Sequence, residues 1–226
     1  MSLFSIMGEI IANHWQTLLR GLGVTLELTL ISVVIGFFIG VLLALGRVYG
    51  NRIVYAICTG IVELIRGTPL LVQLFILYFG LPAYGIRLGA IASAIIAFSI
   101  NSGAYQAEYL RGSIQSLERN QMLAARSVGM TRKQAIAHIV LPQAFRRVVP
   151  AWTNEFIYLL KYTSLAYIVG APELMGMAKI IGSRIYFYFE VYLIVAFMYL
   201  VVVIAFSKLF DLVEKKFKIP GLETIR

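Results

Sequence analysis

An α-helix needs about 20 consecutive apolar residues to cross about 30 Å of hydrocarbon. This 226-residue chain offers such runs repeatedly. They extend from Val24 to Leu45, with Glu27 near the start; from about Ile53 to Phe79, with Glu63 and Arg66 inside; from about Ile86 to Leu110; from about Val148 to Val169; and from about Val191 to Phe210. The sequence therefore predicts an all-α membrane protein with about five transmembrane helices. With 60% hydrophobic and 14% charged residues, the composition excludes a disordered chain and an ordinary water-soluble globule, in which about a quarter of residues are charged. The single cysteine, Cys58, lies in an apolar run, where a thiol serves as inert packing.

The net charge of +9 would suggest a nucleic-acid partner for a soluble protein. Here its distribution reports orientation instead. The one long polar connection, about 111–147, carries Arg111, Arg119, Arg126, Arg132, Lys133, Arg146 and Arg147 against a single acid, Glu118. Arg47 and Arg52 join that side, as do Lys208, Lys215, Lys216, Lys218 and Arg226. Arg20, Arg87, Lys179 and Arg184 fall on the other. Most of the 20 basic residues thus share one side, so the expected topology has the N-terminus outside and the C-terminus in the cytoplasm. Residues 1–20 are mixed in polarity and read as an amphipathic extracytoplasmic segment on the membrane surface. Residues 21–213 form one transmembrane domain that includes the cytoplasmic connection 111–147, and 214–226 form a cytoplasmic tail.

Gln121 to Pro142 reads as helix, turn, helix. Gly129 can end the first helix in a left-handed conformation. Thr131 followed by Gln134 makes a capping box. Pro142 is expected to stop simple helical continuation. Ala124, Ala125 and Gly129 leave a small-sided face that another surface can approach closely. A DNA-reading helix-turn-helix has similar spacing and charge, but membrane spans on both sides hold this unit too near lipid for a helix to enter a major groove. A merely solvated basic loop would not need the caps. The remaining reading is a dock for a cytoplasmic partner.

At this point the chain resembles a family. Ala124, Ala125, Gly129, Leu141 and Pro142 resemble the EAA coupling-helix loop of ABC-importer membrane subunits, with Met130 beside the glycine and Leu123 where the family usually has glutamate. Arg66-Gly67-Thr68-Pro69-Leu70-Leu71-Val72-Gln73 is similar to the RGTPLLVQ signature of the polar-amino-acid (histidine/glutamine/arginine-type) permeases. The stretch Asn154–Leu165, ending Lys161-Tyr162-Thr163-Ser164-Leu165, resembles a third motif of that group. The resemblance implies a type I ABC-importer permease fold in a prokaryotic plasma (inner) membrane. It further implies a second permease subunit, identical or paralogous, two ATP-binding subunits docked on the EAA loops, and an extracytoplasmic amino-acid-binding protein. ATP-Mg would sit on the partner ATPase, with no cofactor on this chain.

The residues are consistent with a transport rather than a catalytic role. The chain has no Gly-Lys dipeptide, hence no phosphate loop, and its two histidines and one cysteine suggest no metal site. No nucleophile–base set is evident in the sequence. Energy must come from a partner or an ion gradient, so an ion-coupled secondary amino-acid transporter is the alternative to an ATP-driven importer.

Intramembrane polar residues are costly and mark function. Glu155 and Lys161 stand six residues apart, about 9 Å along a helix and on different faces. Glu155 either binds the cationic part of a basic amino acid (arginine, lysine or histidine), pairs with Arg66 or Lys161, or reaches interfacial water. Asn101, Tyr105 and Glu108 share one helical face. Asn101 and Tyr105 either orient the amino acid or bond between helices, and Glu108 reads as structural. Thr163, Ser164 and Leu165, with Lys161 nearby, either interrupt the helix so that freed backbone N–H groups hold the substrate α-carboxylate, or bond back within a continuous helix. Arg66, Gly67, Thr68 and Pro69 interrupt the second span as a hinge or packing element. The aromatic run Tyr186–Tyr192 fits an interfacial belt.

Overall fold

A computed structural model describes residues 3–217, with the side chains of 118–120, 216 and 217 left aside; the last nine residues of the expected tail lie outside the described residues. The described chain is helical, in the order α1 (Leu3–Tyr49), α2 (Arg52–Arg66), α3 (Leu70–Phe75), α4 (Ala90–Ser127), α5 (Arg132–Ala135), α6 (Leu141–Tyr162), α7 (Leu174–Ile185) and α8 (Tyr188–Phe217). Two π-helical turns, Ile76–Gly80 and Ile136–Val140, and two 3₁₀ segments, Leu81–Tyr84 and Thr163–Val169, lie between them.

Among the described residues, α1 and α8 are long and apolar enough to cross a bilayer singly. Counting α2 with Leu70–Tyr84 as one span, and Arg132–Val169 with α7 as another, raises this to four. The expected third span, α4, has the length of one, but Asn101, Ser102, Tyr105 and Gln106 dilute its apolar half and it does not join that set. The N-terminal stretch is continuous with the first span, because α1 runs unbroken for 47 residues, about 70 Å, straight through Gly21 and Gly23. The connection after Arg111 begins as helix, since α4 continues to Ser127.

The chain forms two compact units, each assembled from separated segments. The first comprises 1–34, 68–99 and 156–207; the second comprises 35–67, 100–155 and 208–226. In the first unit, Leu28, Leu74, Phe98, Leu159 and Ala166 form one buried cluster, and Ile10, Leu18, Leu174, Ile181 and Val191 form another. In the second, Ala44, Val62, Leu110, Ile114, Val140 and Val148 are buried together. Small residues bring helices close where lipid tails give no hydrophobic drive for association. A Cβ on Gly40 would stand 2.8 Å from Gln106 Cβ, and one on Gly103 would stand 2.7 Å from Ile39 Cγ2. α1 and α4 therefore meet backbone to backbone within this unit.

Candidate functional site

The second unit holds two carboxylates with opposite surroundings. Glu108, on α4, gathers arginines from three helices. Arg47 Nη1 donates to its Oε2 at 2.7 Å, Arg66 Nη1 lies 3.8 Å away, and Arg111 binds both oxygens. The Arg47 side chain is only 7% exposed. Arg66 also lies 5.3 Å from the centroid of the Tyr105 ring, a cation–π contact. Glu108 thus acts as a structural fastener, and Arg66 is bound to it.

Glu155, on α6, is 6% exposed. Tyr109 Oη donates to its Oε2 at 3.5 Å, and Ser102 is buried on the helix that carries Tyr109. Among the described residues it has no cationic partner. Asn101 is buried, and Tyr105 is partly buried on the same helix as Ser102 and Tyr109. Neither Ser102 nor Tyr109 was among the expected site residues. Tyr109 continues the Asn101–Tyr105 stripe one further turn, which was the available signal.

The first unit contains the other expected substrate residues. α6 ends at Tyr162 and the chain tightens into the 3₁₀ segment, closed by Gly170 at φ +86. The helix is therefore interrupted at Thr163, although both hydroxyls are used locally. Thr163 Oγ1 donates to the Leu160 carbonyl and Ser164 Oγ to that of Lys161, each at 2.7 Å. Thr163 is fully buried, whereas Ser164 and Leu165 are partly exposed. Lys161 Nζ lies 4.8 Å from the centroid of the Tyr158 ring.

The Arg66–Pro69 break is real in the backbone. Gly67 N–H closes α2 on the Glu63 carbonyl at 2.8 Å, and Pro69 starts α3 in an extended conformation. The Gln73 amide ties the turn by donating to Thr68 Oγ1 and the Thr68 carbonyl, at 2.9 and 3.1 Å. The boundary between the two units falls between Gly67 and Thr68.

The segment Gln121–Pro142 has the expected caps. Gly129 takes φ +84, and Met130 N–H reaches back to the Ala125 carbonyl at 3.1 Å. Thr131 and Gln134 form the reciprocal capping box. Pro142 does not stop the helix, contrary to expectation. The π turn Ile136–Val140, in which Leu141 N–H bonds the Ile136 carbonyl, makes room for the proline ring, and α6 continues through it. Ala125 is buried, while Leu123 and Val128 are 65% and 77% exposed. Val128, Gly129, Met130, Gln134 and His138 border a shallow depression.

A family model described as binding-protein-dependent transport system inner membrane component matches residues 36–219. The chain is 37% identical over 215 residues to the probable amino-acid permease protein YxeN of Bacillus subtilis, covering 94% of this chain and 96% of that one. It is 37% identical over 205 residues to the L-cystine transport system permease protein TcyB of the same organism, covering 90% and 88%. The crystal structure of an amino acid ABC transporter with histidines superposes with a TM-score of 0.88 at 38% identity, covering 96% of this chain and 99% of that one. The chain belongs to the binding-protein-dependent transport system inner membrane components: it has the type I ABC-importer permease fold and is the permease component of an amino-acid importer whose ATPase is a separate subunit.

Proposed function

We propose that this permease carries basic amino acids, and that Glu155 selects them. The observation that supports this is a buried carboxylate that accepts from the Tyr109 hydroxyl and has no cationic partner among the described residues. An ionised acid so placed is stabilised when a guanidinium, ammonium or imidazolium arrives to pair with it. Asn101 and Tyr105 orient the amino acid from α4. Thr163, Ser164 and Leu165 offer backbone N–H groups to its α-carboxylate, with Lys161 adding positive charge. One relative is an L-cystine transport permease, whereas the solved amino acid transporter was crystallised with histidines, so the family alone leaves the side-chain preference open.

Coupling follows from the cytoplasmic segment. Exposed Leu123 and Val128 flank a buried Ala125 and a capped turn, an apolar surface facing water that suits a protein partner. Ala124, Ala125, Gly129, Met130, Leu141 and Pro142 form the EAA element on which an ATP-binding subunit rests. Two such subunits, a second permease chain (identical or paralogous) and an extracytoplasmic binding protein complete the importer. ATP-Mg stays on the partner. Arg66–Pro69 acts as the hinge, and the chain lies in the inner membrane with its N-terminus outside.

The test is uptake by the assembled complex in proteoliposomes, with arginine, histidine and glutamine compared. Glu155→Gln should lower the arginine-to-glutamine uptake ratio at least about tenfold, one tenfold step being about 1.4 kcal/mol of differential binding. An unchanged ratio overturns the assignment.

A further inference from the structure

Arg66 ends α2, directly before the break that Gly67 and Pro69 make in the chain. Its guanidinium meets two side chains of α4 within the same compact unit. One is Glu108, whose Oε2 lies 3.8 Å from Arg66 Nη1. The other is Tyr105, whose ring centroid lies 5.3 Å from Arg66 Cζ. Tyr105 and Glu108 stand three residues apart and so are neighbours on one face of the helix. A planar guanidinium can lie on the ring while its edge turns donors toward the carboxylate.

The ion pair does not by itself account for this arginine. Glu108 is already neutralised, because Arg47 donates to it at 2.7 Å and Arg111 binds both of its oxygens. The Arg66 contact is the longest of the three, and the Arg66 side chain is 33% exposed, a setting in which an ion pair contributes little. The Tyr105 ring, by contrast, meets no other cation among the described residues. Tyr105 belongs to the stripe of α4 that runs from Asn101 to Tyr109, and the Tyr109 hydroxyl donates to Glu155 Oε2 at 3.5 Å. The ring is only partly buried, so packing alone leaves it some freedom to turn. A cation within about 6 Å of its face restricts that freedom.

We infer that Arg66 is a positioning residue for substrate binding: its guanidinium packs on the Tyr105 ring and holds that ring in the orientation that meets the amino acid. The inference rests on the reading that Tyr105 orients the substrate. Arg66 itself touches no substrate and acts through the ring. The arrangement places the start of the α2–α3 break one contact away from the substrate stripe.

The test is a double-mutant cycle on equilibrium binding of radiolabelled arginine to the complete transporter in nanodiscs, with the melting temperature of each variant read alongside. Arg66→Gln keeps an N–H donor for Glu108 and removes the cation from the ring. It should weaken arginine binding about two- to fivefold, the size of one partly exposed cation–π contact. Arg66→Lys, which keeps a cation, should recover part of that loss. Tyr105→Leu should weaken binding more, about tenfold, and adding Arg66→Gln to it should cost nothing further. In a Tyr105→Phe background, which keeps the ring, Arg66→Gln should cost as much as in wild type. Wild-type affinity in Arg66→Gln, with or without a lower melting temperature, overturns the positioning role. So does an equal loss from Arg66→Gln with and without the Tyr105 ring, or a loss in Arg66→Lys as large as in Arg66→Gln. Wild-type affinity in Tyr105→Leu, or a wild-type complex that fails to bind arginine, overturns the substrate reading underneath, and the inference with it.

Discussion

At the scale of single residues, placement of charge decides role. Glu108 and Glu155 are both acids on long helices, but one is surrounded by three arginines and the other accepts from the Tyr109 hydroxyl alone. Glu108→Gln should destabilise the chain by about 2–3 kcal/mol, somewhat below the usual cost of breaking a buried pair because the carboxylate keeps some contact with solvent. It would leave the nearly buried Arg47 facing two other arginines. Glu63→Gln removes a 3.7 Å pair whose acid is 63% exposed, and should cost less than about 0.5 kcal/mol. Thermal unfolding in detergent compares the two; equal losses would contradict the fastener role of Glu108. Glu173 shows the third solution: its buried carboxylate accepts from four neutral donors, the Gly176 and Met175 N–H groups and the Tyr199 and Thr25 hydroxyls.

At the scale of elements, breaks in helices are held by short local devices. The capped turn at Gly129–Gln134 keeps its shape through one left-handed residue and one capping box. Gly129→Ala forces a Cβ into the left-handed region and should cost about 1–2 kcal/mol locally. Thr131→Ala loses the cap and about 1 kcal/mol. If this turn is the ATPase dock, both should reduce transport per ATP hydrolysed by the reconstituted complex while arginine binding is unchanged. Undiminished coupling in both would remove the turn from the interface. Pro142 illustrates the opposite case, in which a π turn lets a helix pass a proline that sequence rules alone would treat as a stop.

At the scale of the whole molecule, the apolar runs and the asymmetry of basic residues set the expected topology, N-terminus outside. In a Cys58→Ser background, a cysteine placed at Ser5 should react with a membrane-impermeant maleimide in intact cells. One placed at Lys133 or Lys215 should react only after permeabilisation. The reverse pattern would invert the proposed orientation, and with it the assignment of residues 121–142 to the ATPase side.

The sequence by itself determined an all-helical membrane protein, because hydrocarbon demands about 20 apolar residues per crossing and internal hydrogen bonding throughout. It also determined the local punctuation at Arg66–Pro69 and Gly129–Gln134, since caps, glycines and prolines act over one turn, whereas the break at Thr163 stayed open between an interrupted and a continuous helix. Only the tertiary structure decided which acid is paired. Arg47 and Glu108 are 61 residues apart in the chain, Tyr109 and Glu155 are 46, and Thr25 and Glu173 are 148. No periodicity reports such separations, because they arise from which helices pack together rather than from the backbone of any one. The same packing assembled two units from interleaved segments and carried α1 unbroken past residue 20, neither of which a linear reading of spans and loops contains.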